Sequence, residues 1–345
     1  MRNATRLKFN AMTAAMALTY GVPSVAENFA ATPTIEQRLM DKIVESIAFL
    51  QQINIVPVDE MEGEKILGSV TGAPGKRTDT TNNDRQTSDP LNLDPHGYKC
   101  VFTEYDVHMK YATIDAWAKF PNLHEKFMGY VRLAQAHSSI RTGWHGLTAA
   151  AVTNSGANPL GEDTNIGWLQ HIRAYNGGSQ MMSQGEVADE IRIGEGAGAD
   201  YPNLDAMVQD VKQLVHPLHR QAGDLVAIVG DDLTSMDKAQ LYQAQGQTPT
   251  EKEKIELASI TRTYAGLPTH QIPFFPSTGI LVTSFKNLSI YHQQGTIRQH
   301  VIDNPKRSRV EHYNSTNEAY VVEDVEKTGA IEFANVKFWS GDAWV

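Results

Sequence analysis

Four places in the sequence carry side chains of the right type for chemistry. His124 and Glu125 begin a zincin-like pair, but the second imidazole would have to stand at position 128, which is Met. One histidine cannot close that zinc site. Gly75-Lys76 imitates the end of a phosphate-binding loop, but position 70 is Val and position 77 is Arg, so the first glycine and the magnesium-binding hydroxyl are both missing. His216 and His219 are spaced to share a helix face, yet no carboxylate or cysteine at fitting spacing completes a site. Solvated or hydrogen-bonded histidines are the stronger reading.

The best imitation is Gly194-x-Gly196-x-x-Ala199, after the strand-like EIRIG and before a helix. A dinucleotide-binding loop opens its helix within the glycines, so that the helix N-terminus holds the pyrophosphate. Here ADYPN intervenes and delays the helix start, and Asp231 lies beyond the ~20 residues expected for a ribose-binding acid. A glycine-rich surface loop is the expectation. No G-x-S-x-G elbow and no paired carboxylates stand out, so no cofactor and no catalytic residue are assigned.

The elements that would position such groups are legible from periodicity. Ile35, Leu39, Ile43, Ile47 and Leu50 recur at helical spacing behind a capping box of Thr34 and Gln37. INIVPV, with Pro57, suits an edge strand, and EKILGSV is a second strand. Residues 71–95 are nearly devoid of large apolar side chains, so they form either a disordered stretch or a projecting hairpin that needs a partner surface. YKCVFTEYDVHMKYAT returns as a strand with Val101, Tyr105 and Val107 on one face. After Pro121, Asn122 and Glu125 recap a helix with the stripe Leu123, Phe127, Val131 and Ala134. Between 200 and 285, helix LDAMVQDVKQLV, buried strand DLVAIVG, helices around 234–262 and strand GILVTSF alternate as a compact α/β unit. The chain ends in short strands, among them LSIYH, TIRQHVI, RVEHY, AYVVE and AIEFANVKF.

Composition narrows the function classes. The 345 residues carry a net charge of −10, a poor match for gripping nucleic acid, although a protein that only encloses DNA can be acidic. No apolar run reaches the ~20 residues of a membrane span. Cys100 is the single cysteine, which excludes an intrachain disulfide and reads as a small buried hydrophobe. Arg2, Arg6 and Lys8 precede the mildly apolar AMTAAMALTYGV, and Ser24-Val25-Ala26 has the form of a signal-peptidase site. From composition alone, a secreted periplasmic protein with a new terminus at Glu27 stands level with a retained cytoplasmic segment.

A resemblance separates them. INIVPVDEMEGEKILGSVTG, YATIDAWAKF, EIRIGEG, DLVAIVG, LPTHQIPFFP and above all NLSIYHQQGTIRQHVIDNPKRSRVEHYNSTNEAYVVED resemble the major capsid proteins of Peduovirus-type tailed bacteriophages, nearly end to end. That resemblance implies an α+β chain of the Hong Kong 97-type capsid fold, not an enzyme. It implies an N-terminal segment at 1–29, an N-terminal arm at 30–62 and an E-loop hairpin at 63–112. It further implies a peripheral domain at 113–149 and 286–345 with a spine helix, and an axial α/β domain at 150–285. The leading segment would be cut near Phe29–Ala30 by a phage maturation protease, and Lys76, Arg77 and Arg85 of the E-loop would meet the neighbouring subunit. The implied partners are other copies of the chain in hexameric and pentameric capsomers, a scaffolding or maturation protease and a portal protein. The resulting icosahedral head, assembled in the host cytoplasm, encloses double-stranded DNA with no sequence-specific grip and no membrane.

In one branch of this fold a loop lysine is joined to an asparagine. Lys76 and Asn314 or Asn317 could supply the two groups, but nothing in the sequence places the buried carboxylate such a bond needs. Boiled mature particles should therefore run on a denaturing gel as one band near the chain mass, and a ladder of oligomers would refute this.

Overall fold

The computed structural model describes residues 3–26, 29–30, 33–45, 47–70, 77, 91–117, 123–245, 263–340 and 343–345. The chain opens with helix α1 (Asn3–Tyr20), a two-residue strand β1 (Phe29–Ala30), and helices α2 (Pro33–Val44) and α3 (Ala48–Gln52). Strands β2 (Asn54–Val58), β3 (Glu62–Val70), β4 (Leu91–Lys99), β5 (Val101–Glu104) and β6 (Val107–Lys110) follow. Next come α4 (Tyr111–Trp117) and the long α5 (Leu123–His145). The middle of the chain carries α6 (Trp168–Ala174), β7 (Met181–Met182), β8 (Ile191–Ile193), α7 (Leu204–Leu214) and β9 (Val226–Val229). After these come α8 (Asp231–Gln245), β10 (Thr263–Tyr264), β11 (Leu267–His270) and β12 (Ile280–Thr283). The last strands are β13 (Leu288–Gln293), β14 (Arg298–Asn304), β15 (Arg309–Val322), β16 (Gly329–Ile331) and β17 (Val336–Phe338).

The largest sheet is organised around β15. One edge of β15 pairs first with β14 and then with β13, and its other edge pairs with β6 and β5, all antiparallel. The sequence pattern suggests two short strands here, RVEHY and AYVVE. The structure has one strand of 14 residues, because partners on both edges extend the ladder through the turn-forming NSTNE. β2 adds to β13 in parallel and leaves its other side as the sheet edge, where Pro57 removes no ladder bond. β1 closes the opposite edge against β14.

Alternation along β15 turns Val310, His312, Asn314, Thr316, Glu318, Tyr320 and Val322 to one face, and all are buried. α5 covers part of that face. It buries Phe127, Met128, Val131, Gln135, Ala136, Ser139, Ile140 and Trp144, whereas Ala134 is exposed. The expected stripe therefore turns one position beyond Val131. Asn122, the expected cap, lies outside the described residues. Trp144 stacks at 4.8 Å from Trp168 of α6 and 5.5 Å from Phe49 of α3, and Trp168 packs at 5.5 Å from Tyr320. This aromatic cluster joins three helices to the sheet, with each pair worth about 0.5–1.5 kcal/mol beyond its buried area.

A second sheet, in the order β10-β11-β9-β12-β16-β7, forms the α/β unit, with β9 and β12 buried along their whole lengths. β16 reaches this sheet from the C-terminal end of the chain. α7 packs on it, capped by Asn203, whose side chain accepts from the Ala206 amide at 2.9 Å. α8 starts at Asp231, earlier than the periodicity suggests. α2 starts at Pro33, so Thr34, the expected cap, stands inside the helix.

His312 has both ring nitrogens buried without a hydrogen-bond partner among the described residues, edge-on to Phe127 at 6.4 Å. Burial drives its pKa down to about 4 from 6.5 and also lowers that of His292. The unfolded chain thus takes up the His312 proton first as pH falls. Stability is lost between pH 6.5 and 4, by up to roughly 3 kcal/mol, and levels off below. Burial raises the pKa of Glu318, which works in the opposite sense. His312→Phe should remove the acid loss assigned to His312, read as the difference from the parent in denaturant unfolding of dissociated subunits at pH 7.5 and 4.5.

Candidate functional site

With no catalytic residue assigned from the sequence, the candidate site lies in the exposed surfaces and attached segments of the chain. β3 and β4 form an antiparallel hairpin of nine residue pairs, from Glu62↔Lys99 to Val70↔Leu91. Ordered pairing therefore starts at Leu91, well before the strand expected from Tyr98, and even takes in Pro95. Lys76 and Arg85 lie outside the described residues, and Arg77 is exposed.

The hairpin is tied to the body at its base. Tyr98 stacks edge-on against Tyr291 of β13 at 5.0 Å, and Lys99 pairs with Glu62 across the hairpin. The Cys100 amide donates to the Met61 carbonyl at 2.8 Å. Cys100 is fully buried against Tyr291 and Ala319, and burial pushes its thiol pKa up to about 11, as expected of an inert packing residue. Beside the base, Tyr98, Tyr175, Tyr320, Val322 and Ile166 line a cleft of about 780 Å³. Gly63 lies under Tyr98, where a Cβ would stand 2.7 Å from the ring.

At the other end of the sheet sits the N-terminal segment. Phe9, Met12 and Met16 of α1 are buried in one cluster with Met109, Ile114, Phe127, Val131, Val301 and Val310. Arg6 reaches Asp303 at 3.1 Å, and the same carboxylate takes the Tyr111 hydroxyl, a bond that pushes the Tyr111 pKa up to about 12. Phe29 and Ala30 pair with Gln299 and Arg298, so the residues expected to be cut lie in an edge strand.

Glu318 is a buried carboxylate that the sequence hides in a polar run. Tyr105 donates to it at 2.5 Å and Tyr320 at 2.8 Å, while Ser139 of α5 lies 3.2 Å from the Tyr105 hydroxyl. Of its neighbours, Asn314 is buried and donates to Gln135 at 3.2 Å, and Asn317 donates to Gln293 at 2.8 Å. Both amides are thus engaged within the subunit. The spacing of Phe9, Met12 and Met16 is a helical signal that could have revealed the docking of α1. No local signal marks Glu318.

Three of the motif-like fragments take structural places, and Gly75-Lys76 lies outside the described residues. Met128 is buried, and no group of three or more metal-ligating side chains occurs among the described residues. His216 and His219 lie in a turn after α7 instead of on a helix face, with His219 3.2 Å from Asp324. A Cβ on Gly196 would meet the Trp339 ring at 2.4 Å, so this glycine admits an indole and not a pyrophosphate. No helix among the described residues is long and apolar enough to cross a membrane.

A sheet built on a strand paired along both sides, a long helix packed on it, a projecting hairpin and an adjoining α/β unit that shares its core fit a tailed-phage capsid subunit of the Hong Kong 97-type fold. Comparison with known proteins agrees. Residues 8–334 match the family model described as the phage major capsid protein, P2 family. The capsid protein of Escherichia phage P2 is 35% identical over 333 residues, covering 94% of this chain and 92% of the relative. The major capsid protein of Serratia phage KSP20 is 32% identical over 324 residues, covering 92% and 90%. Among solved structures, the satellite phage P4 procapsid including size determination protein superposes with a TM-score of 0.75 at 33% identity, covering 98% of this chain and 99% of that one. The capsid of cyanophage A-1(L), 12% identical with a TM-score of 0.51 over 81% of this chain and 90% of that one, shares the fold alone. The chain belongs to the P2 family of phage major capsid proteins, and the secreted-protein reading has no support among these relatives.

Gly63→Ala should force the Tyr98 ring off Tyr291 at a cost of about 1–3 kcal/mol, as overpacking usually does. Amide exchange at Glu62 and Lys99 should rise roughly 5- to 150-fold with that at β15 unchanged; an unaltered rate at the hairpin base would show that Tyr98 does not anchor it.

Proposed function

We propose that the chain is a purely structural subunit, with no cofactor, that closes into hexameric and pentameric capsomers and then an icosahedral head around double-stranded DNA. The observation that carries this reading is the likeness to a procapsid subunit over 98% of the chain. Assembly takes place in the host cytoplasm, with a scaffolding or maturation protease and a portal protein as further partners and no membrane involved. The net charge of −10 suits a wall that confines DNA without adhering to it.

The parts divide as an N-terminal segment at 1–29, an arm at 30–62, the E-loop hairpin at 63–112, a peripheral domain at 113–149 and 286–345, and an axial domain at 150–285. The axial domain borrows β16 from the chain's end. The hairpin, with Lys76, Arg77 and Arg85, lies on a neighbouring subunit. A two-stranded hairpin buries too little of its own surface to be stable alone, so a partner surface supplies the missing contacts. Phage maturation proteolysis near Phe29–Ala30 removes the first segment, whose Arg2, Arg6 and Lys8 would otherwise attract packaged DNA.

The test compares hydrogen exchange in dissociated subunits and in shells. Amides of β3 and β4 should gain at least about 10-fold protection on assembly, as expected when local opening is suppressed by a partner. Equal protection in both states would remove the hairpin from the interface. Electron microscopy of the chain expressed with its scaffold should show closed shells, and a persistent monomer would reject the whole reading.

A further inference from the structure

We infer that α1 is a lock, acting within its own subunit, on the strand that carries the maturation bond. The inference rests on the reading that residues 1–29 are removed.

The two faces of α1 differ in burial. Phe9, Met12 and Met16 recur at i, i+3 and i+7 and are 8%, 5% and 1% exposed. The diametrically opposite positions, Leu7, Ala11, Ala14 and Leu18, are exposed, Leu7 at 71% and Leu18 at 85%. The buried face sits on residues from four elements: Met109 of β6, Ile114 of α4, Phe127 and Val131 of α5, and Val301 of β14. The Arg6–Asp303 pair adds a polar tether to the same strand, β14.

The chain then turns sharply and returns along β14. Gly21 takes φ +66°, and the Val22 amide donates to the Ala17 carbonyl at 2.9 Å. Val25 is 3% exposed, and its carbonyl accepts from the Val301 amide at 2.9 Å. Phe29 and Ala30 continue on the same strand, opposite Gln299 and Arg298. At Phe9 to Met16, at Val25 and at Phe29 and Ala30, the segment is thus fastened to β14 and its neighbours.

A protease takes an extended substrate by pairing with its backbone, so residues on both sides of the bond must leave the sheet. Two pairs in β1 hold weakly by themselves. Upstream release requires Val25 and then α1 to lift from a shared apolar cluster. Cleavage therefore follows the small population in which α1 is undocked. Any contact made during shell assembly that lifts α1 exposes the bond, which ties cutting to assembly and spares the free subunit.

Dissociated full-length subunits digested with thermolysin provide the test. The double variant Met12→Ala, Met16→Ala weakens docking, and Leu7→Ala, Leu18→Ala alters the exposed face as a control. The cut next to Phe29 should be at least about 10-fold faster in the first variant and within about 2-fold of the parent in the second, because cleavage tracks the open population. Cutting in the exposed loop at 147–160 in the same digest reports global loosening. Equal rates at Phe29 in the two variants, or an acceleration shared in proportion by that loop, would overturn the lock. Terminal sequencing of virion protein separately judges the removal reading. A start near Ala30 supports it, and a start at Met1 or Glu27 overturns it whatever the digest gives.

Discussion

The register of β15 is the constraint from which the rest of this subunit follows. Its 14 residues are paired on both edges with four other strands, so a slip of one residue would break four sets of pairs. It would also carry Val310, Tyr320 and Val322 out of the core and bring odd-numbered residues such as Tyr313 and Asn317 in. The polar members of the buried face tighten the choice further. Glu318 is tolerable only where Tyr105 and Tyr320 both reach it, and Asn314 only where α5 presents Gln135. Such groups add little net stability, but they penalise every other register by leaving buried polar atoms unpaired.

From that ladder outward, burial falls off in a way that suits assembly. The sheet, α5 and the aromatic cluster of Phe49, Trp144 and Trp168 form a body that resists deformation. Among the described residues, the base of the hairpin is attached through the Tyr98–Tyr291 ring pair and the buried Cys100. The N-terminal segment is attached along β14 and through the buried face of α1. A shell needs both kinds of part. Rigid bodies set the geometry, and segments attached at their ends can open locally without unfolding the body.

The fragments that imitate catalytic motifs show why types and spacing alone mislead. Gly194 and Gly196 satisfy a dinucleotide-like spacing because a tryptophan from the end of the chain must pass over them. Both a phosphate and an indole ring demand the absence of a Cβ, and only the intervening ADYPN separates the two demands in the sequence. His219 similarly serves a carboxylate, Asp324, that is far away along the chain.

What the sequence determined by itself is whatever depends on neighbours along the chain. The period of α7 and its Asn203 cap, the buried runs of β9 and β12, the burial of Cys100 and the family-like blocks of residues are all of this kind. Tertiary structure alone decided that NSTNE runs straight through as strand, that β16 returns to the α/β sheet, that α1 docks on β14 and α5, and that Glu318 is buried. Local propensity for a turn in NSTNE amounts to about 1 kcal/mol or less per residue. Hydrogen bonds on two edges and burial of one face outweigh it, and those partners lie far away in sequence. Periodicity reports which face of a segment is apolar, but only pairing between distant strands decides what that face meets.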